Sequence, residues 1–182
     1  MMKSLQPVSL RSVLKAASLF TVALVVAAPS YAATCAGSTV TMLGTANADS
    51  MSGTSGNDVI HGAGGSDTIH GNGGNDIICG GHGDDYITGG AGNDTVNGHP
   101  GYDIVFGDAG TDDLRGDENN DRLDDQDGWT YEYGGAGNDD LDTHSGDLWG
   151  GLGYDTCKYH IAYIPWGGAI HYGTTQECEE FS

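Results

Sequence analysis

From Met51 to Leu123 every ninth residue is apolar: Met51, Ile60, Ile69, Ile78, Ile87, Val96, Val105, Leu114 and Leu123. The residues on either side vary and are frequently polar, so each of these side chains is the single inward-pointing member of a three-residue strand. Six residues separate one such strand from the next. They begin on Gly in all nine units between Gly44 and Asp124, with no insertion anywhere in the run. A short fixed period of this kind predicts a solenoid. With one strand per nonapeptide, two nonapeptides close one coil of a flattened parallel β-solenoid. The fourth column is Gly in seven units and Asn in the other two, Asn47 and Asn119. Asn is the residue that best tolerates positive φ after Gly, so this column is read as a left-handed turn position.

The sixth column is Asp without exception. One buried aliphatic side chain per nine residues, in a chain with 32 Gly among 182 residues, is too little core to hold such a backbone in order. Stacking makes the balance worse. Asp residues two units apart lie about 5 Å from one another and repel by on the order of 3 kcal/mol at an effective dielectric near 20. A cation between them resolves both problems. Carboxylates together with the exposed carbonyls of glycine-rich turns are hard oxygen ligands, which suit Ca²⁺.

Charge and compartment narrow the function classes. Residues 1–32 read as a secretory signal peptide: Lys3, Arg11 and Lys15 precede an apolar stretch from Ala16 to Ala28, then Pro29-Ser30-Tyr31-Ala32 offers small residues for cleavage after Ala32. Thirteen apolar residues are too few for a membrane span, which needs roughly 20. Removing the segment leaves three basic side chains, Arg115, Arg122 and Lys158, against all 26 acids, a formal charge of −23. That balance excludes nucleic acid as a partner, and insertion into a membrane is not expected once the signal is removed. The strict period argues against a disordered acidic chain. Four cysteines in an exported protein allow two disulfides in three connectivities.

The units GGAGNDTVN at 89–97 and GGAGNDDLD at 134–142 resemble the GGxGxDxUx repeats of the RTX, or haemolysin-type calcium-binding, family. The resemblance extends from about Gly44 to Lys158. It implies an all-β fold, a right-handed parallel β-roll, with each Ca²⁺ held between two turns on one edge by Asp carboxylates and main-chain carbonyls. Carried over by position, one edge has Asp49, Asp67, Asp85, Asp103, Asp121 and Asp139, and the other Asp58, Asp76, Asp94 and Asp112. Neighbouring pairs give up to about eight ions. Column five, with Asn57, Asn75, Asp84, Asn93 and Asn120, is read as bracing the turn rather than binding metal. The ending GYDTC, followed by a second Cys, resembles the disulfide-closed ends of exported proteins with these repeats. It implies a Cys157–Cys178 bridge closing a C-terminal cap. Cys35 would then pair with Cys79, although Cys79 is in an outward column four half-coils beyond Cys35's extrapolated position.

The pattern breaks at DQDGWTYEY, residues 125–133, where Thr130 replaces the Asp and Glu132 the inward aliphatic. An unpartnered charged Glu is too costly to bury, so this half-coil is expected to bulge, leaving Asp112 to find a partner in Asp125 or Asp127. A seven-residue unit, THSGDLW, follows the clean copy at 134–142, and GGLGYDTCK at 150–158 resumes the pattern. The organisation expected is a signal peptide at 1–32, an N-terminal cap segment at 33–43, regular repeats at 44–124, degenerate repeats at 125–149, and a last repeat with the cap at 150–182. Ten of fifteen aromatic residues lie at or beyond Trp129. Tyr154, Tyr159, Tyr163, Trp166 and Tyr172 suit a cap, while Trp129, Tyr131, Tyr133 and Trp149 could instead form a recognition surface for an extracellular glycan or protein.

No HExxH, GxSxG or P-loop motif is present, the histidines have no metal-ligand spacing, and only about ten residues separate the cleavage site from the first repeat. An enzyme is therefore not expected. The reading that emerges is a secreted calcium-binding β-roll, located outside the cell, on its surface or in the periplasm, whose folding is driven by Ca²⁺. The alternative is a surface or matrix interaction protein that uses the calcium-rigidified solenoid to present its aromatic end.

Overall fold

A computed structural model of the chain describes residues 34–159 and the strand Gln176–Glu177. The expected signal peptide and most of the expected cap lie outside the described residues. Sixteen strands follow in order: β1 (Thr34–Cys35), β2 (Ser38–Thr39), β3 (Met42–Leu43), β4 (Ser50–Ser52), β5 (Val59–Gly64), β6 (Thr68–Gly73), β7 (Ile77–His82) and β8 (Tyr86–Ala91), then β9 (Thr95–Pro100), β10 (Ile104–Glu118), β11 (Arg122–Asp125), β12 (Asp127–Ala136), β13 (Asp140–Thr143), β14 (Gly146–Leu152), β15 (Thr156–Tyr159) and β16 (Gln176–Glu177).

They form a parallel β-solenoid of about six turns. Through the regular run each residue pairs with the one 18 positions later, two nonapeptides on. Met42, Ile60, Ile78, Val96 and Leu114 stack in register on one face. Met51, Ile69, Ile87, Val105, Leu123, Leu141 and Cys157 stack on the other. The two ladders meet in one narrow aliphatic core. β10 belongs to both faces, since it runs through a turn without losing its pairing.

Column four is glycine for two reasons. Gly65 (φ 100°) and Asn119 (φ 79°) are left-handed, as expected, whereas Asn47 is not. Gly101 and Gly110 are not in that region, but a Cβ at either would overlap the carbonyl oxygen of the coil before, Gly83 O or Gly92 O. Column two is also left-handed, at Ala63 (φ 80°), Asn72 (77°), His99 (73°), Asp108 (68°) and Asp117 (82°). The sequence reading assigned it no role, although its Gly, Asn and Asp content carried the signal. Ala63 has no such preference and holds this conformation at a cost of about 1–2 kcal/mol. Ala63→Gly is therefore expected to raise the denaturation midpoint in saturating Ca²⁺, by about 1 kcal/mol less the added freedom of the unfolded chain. Equilibrium denaturation in urea measures it.

The disulfide within the described residues joins Cys35 to Cys79, with 5.8 Å between Cα atoms. The β1–β2 hairpin folds back over the outside of the first coils, with β1 against β5 and β7. This explains how Cys79 is buried despite its outward column, and why extrapolating Cys35 along the solenoid axis misplaced it. Closing a loop of this length restricts the unfolded chain by about 4 kcal/mol in the chain-entropy picture. It sits at the N-terminal end. Cys157 is not free, and the Cys157–Cys178 closure reaches a residue outside the described ones.

The expected bulge at 125–133 does not occur. β12 stays in register with β10 and places Glu132 directly on Leu114, inside the core, at 0 % exposure. The seven-residue unit also keeps the stack by shortening the turn rather than the strand: Thr143 pairs with Asp125 and Gly146 with Thr130, so three residue steps replace five.

Candidate functional site

Each six-residue turn ends on its Asp, whose main chain is fixed by the ladder. The N–H that opens the following strand donates to the carbonyl of the Asp one coil earlier, as from Tyr86 to Asp67 and from Ile104 to Asp85, both 2.9 Å. The carboxylates are tied across coils as well. Oδ1 of Asp67 accepts from the N–H of Asp49, Asp85 from Asp67, Asp103 from Asp85, Asp121 from Asp103 and Asp139 from Asp121, at 2.7–2.9 Å. On the opposite edge Asp76 accepts from Asp58, Asp94 from Asp76 and Asp112 from Asp94, each at 2.8 Å. The ten aspartates singled out by the repeat thus form two continuous columns.

The second oxygen behaves differently. Oδ2 of Asp67, Asp76, Asp85, Asp94, Asp103, Asp112, Asp121 and Asp139 is buried and has no hydrogen-bond partner. Each points at the first-column glycine of its own turn. At Gly89, for example, a Cβ would stand 2.5 Å from Asp94 Oδ2 and 2.9 Å from the carbonyl oxygen of Gly107 on the next coil. The glycine is required because two acceptors crowd the place of a side chain. Neither acceptor can satisfy the other, and buried polar oxygens are rarely left so.

Burial raises the pKa of these carboxyls, opposed by the hydrogen bond from the neighbouring coil's N–H and reinforced by that coil's charge. Asp67 and Asp76 are shifted upward. Asp85, Asp94 and Asp139 rise to about 6, Asp103 and Asp112 to about 7, and Asp121 to about 8. Without a counter-charge these buried carboxyls hold their protons to higher pH than an exposed Asp does.

Asp49 and Asp58 depart from the rest. Their Oδ2 atoms accept from the N–H and hydroxyl of Thr45 and Thr54 at 2.6–2.9 Å, so the first coil satisfies itself. At the other end Asp155 joins the column, accepting from the N–H of Asp139 at 2.9 Å. It is the sixth residue of GGLGYDTCK, the unit that resumes the pattern, and is not among the ten expected ligands. On the second edge Thr130 and then Gly146 stand in the Asp register, and the column ends at Asp112. Column five braces the turns, but between coils: Asn57, Asn75, Asp84 and Asn93 each accept from the N–H 18 residues on.

At Gly62, Gly71, Gly80 and Gly89 the polar atoms that meet are oxygens, an Asp Oδ2 and the next coil's carbonyl. Among the described residues no three His, Cys, Asp or Glu side chains gather into a metal cage, because each coil contributes only one Asp per edge. A cation here would be held by carboxylates of stacked coils completed by glycine carbonyls. The orphaned Oδ2 atoms and the facing carbonyls fit a hard divalent ion.

The aromatic residues fall into two places. Trp129, Tyr131 and Tyr133 are 43–47 % exposed on the outer face of β12. Tyr131 is stacked with Trp149, their rings 6.3 Å apart and 9° from parallel. Tyr131, Tyr133 and Trp149 line an open groove of about 350 Å³ with Asp113 and Arg115. Tyr154 is 86 % exposed. Tyr159, Tyr163, Trp166 and Tyr172 have side chains outside the described set.

The profile of the RTX calcium-binding nonapeptide repeat matches the chain four times, over residues 43–78, 70–105, 88–123 and 133–147. No curated protein and no solved structure matches.

Proposed function

Because the chain belongs to the RTX calcium-binding nonapeptide repeat family, we propose that it is a secreted β-roll whose folding is coupled to Ca²⁺ held between stacked turns. The observation that carries this is the row of eight buried, partnerless Asp Oδ2 atoms. Asp49, Asp67, Asp85, Asp103, Asp121 and Asp139 would serve one edge, extended by Asp155, and Asp58, Asp76, Asp94 and Asp112 the other. Bound Ca²⁺ would supply the positive charge that lets these carboxylates stay ionised out of water.

The chain's own groups do the rest. Glycine in the first column leaves room for Oδ2 and a carbonyl to share one space, and the Oδ1 bonds aim each carboxylate before an ion arrives. The sites are divided between coils and barely exist in the unfolded chain, so binding free energy becomes folding free energy. Extracellular modules of this chemistry bind at about 10⁻⁴–10⁻³ M, and shared neighbouring sites make the transition steep. Export would deliver an unfolded chain into a calcium-rich medium. Isothermal titration calorimetry with Ca²⁺, and with Mg²⁺ as the control, is expected to give several sites for Ca²⁺ and none of comparable affinity for Mg²⁺. Equal binding of both ions would refute the reading.

The exposed aromatic groove of Tyr131, Tyr133 and Trp149 supports a second reading, a surface or matrix protein that docks a glycan or protein on the rigidified solenoid. In the first reading these rings are incidental. In the second they carry the function. A Cys157–Cys178 bridge closing the C-terminal end belongs to both.

A further inference from the structure

Among the units from Gly44 to Lys158, the unit 125–133 alone carries an aromatic residue in both of its outward columns, Tyr131 and Tyr133. β12 pairs with β10 on one side and β14 on the other, so outward side chains form rows across three strands. Arg115, Tyr133 and Trp149 make one row, and Asp113, Tyr131 and Asp147 the next. The parallel rings of Tyr131 and Trp149 join the two rows on the diagonal. A second groove, of about 410 Å³, is lined by Tyr133 with His99, Pro100, Asp117, Glu118 and Leu152. Tyr133 lines both grooves, which makes them contiguous. Together they form a track that leaves the sheet face and continues onto the turn where Gly135 stacks between Asp117 and Gly151.

We propose that this track binds a strand of neutral polysaccharide. A pyranose ring has an apolar C–H face and a polar hydroxyl rim. The half-exposed rings of Tyr131, Tyr133 and Trp149 offer apolar surface to the first. The Arg115–Asp113 pair suits the second. Nε and Nη2 of Arg115 donate to the two Asp113 oxygens at 3.1 Å each, which uses two of five guanidinium donors and leaves carboxylate lone pairs for hydroxyls. A peptide fits less well. An extended peptide gains its affinity from main-chain bonds along an open sheet edge, and both edges of β12 are already paired. A folded protein needs a broad contact, roughly 800 Å² per partner, whereas a track that turns from face to edge presents no single plane. Charge then selects among polysaccharides. The chain carries −20, and Asp113, Asp117 and Glu118 line the track against one guanidinium, Arg115, so sulfated and uronic polymers are repelled.

The inference rests on the second reading above, that the aromatic surface docks an extracellular partner, and two assays separate them. In native affinity electrophoresis with saturating Ca²⁺, the full chain is expected to be retarded by at least one of hydroxyethylcellulose, mannan and dextran, and not by dextran sulfate. Y133A, which removes the ring common to both grooves, and W149A should abolish retardation, and Y133F should keep it. The Ca²⁺ midpoint of folding should not move in any of them, because these rings lie outside the core. If Y133A fails to fold, W149A and Y131A decide. No retardation by the three neutral polymers, retardation that survives W149A and Y131A, or stronger retardation by dextran sulfate would overturn the inference. The second assay is adsorption to a gelatin-coated surface. Adsorption abolished by W149A and Y131A, with no retardation by any neutral polymer, would leave the docking reading standing with a protein partner and remove the polysaccharide. Behaviour independent of the rings in both assays would remove both.

Discussion

In chelator at pH 8 the chain is expected to lose most of its strand signal in far-UV circular dichroism, and lowering the pH to about 4 should restore a large part of it without calcium. The sign follows from the two aspartate columns. Their folded-state pKa values lie above the ordinary carboxylate value, at about 6 for Asp85, Asp94 and Asp139, about 7 for Asp103 and Asp112, and about 8 for Asp121. A group whose pKa is raised by folding binds its proton more tightly in the folded state. The stability it lends is complete below the unfolded value near 4 and is lost as the pH rises through the folded one. Ion-free stability should therefore fall steadily from pH 4 to pH 8. Calcium reverses the trend, because it competes with those protons for the same oxygens. Its apparent affinity should rise over the same window, with protons released on binding. Circular dichroism in chelator and in saturating Ca²⁺ across this range measures both slopes. Greater ion-free stability at pH 8 than at pH 4 would show that the columns are not the source of the calcium requirement.

Asp103→Asn should have opposite effects in the two conditions. Asn keeps an oxygen able to accept from the N–H of Asp85, the 2.9 Å bond that orders the turn, and removes a charge that burial penalises. In chelator at pH 8 the variant should be more stable than the parent. In calcium it should be less stable, since Asp103 contributes to the pairs on both sides of its coil, and the folding midpoint should move to roughly tenfold higher Ca²⁺, about 1.4 kcal/mol. Asp103→Ala is the control: it strands the Asp85 N–H as well, at about 1–3 kcal/mol, and should destabilise in both conditions. Thermal midpoints of the three chains with and without Ca²⁺ measure the crossover. A loss for Asp103→Asn in chelator equal to that in calcium would mean that packing, not charge, defines the column.

Much of this was legible in the sequence because a solenoid repeats its physics. The ladder from Met51 to Leu123, the half-coil per nonapeptide and the two Asp edges all follow from column composition. What escaped is what a column average conceals. Thr45 and Thr54 look like ordinary second-column residues, yet they engage Asp49 and Asp58, because the first coil has no predecessor to organise it. Asp155 is not among the ten expected ligands, yet in space the turn absorbs the two-residue deletion before it and the strand register survives. Glu132 was expected outside on the rule that bare charges avoid interiors. That rule treats the residue alone, and here Asp125 and Thr130 changed with it. The Cys35–Cys79 bond depends on a hairpin that leaves the solenoid axis, which periodicity cannot report.

The threonine contacts of the first coil also give the molecule a direction. Asp49 and Asp58 are the members of their columns whose Oδ2 atoms are satisfied by their own turns, and the nearby disulfide holds the covering hairpin in place. That end can order before any ion is present. Every later coil meets a preformed N–H waiting for its Oδ1, and growth by addition to a templated end avoids the slow step of nucleating a coil in mid-chain. Growth from that end would add coils one by one toward the C-terminal side.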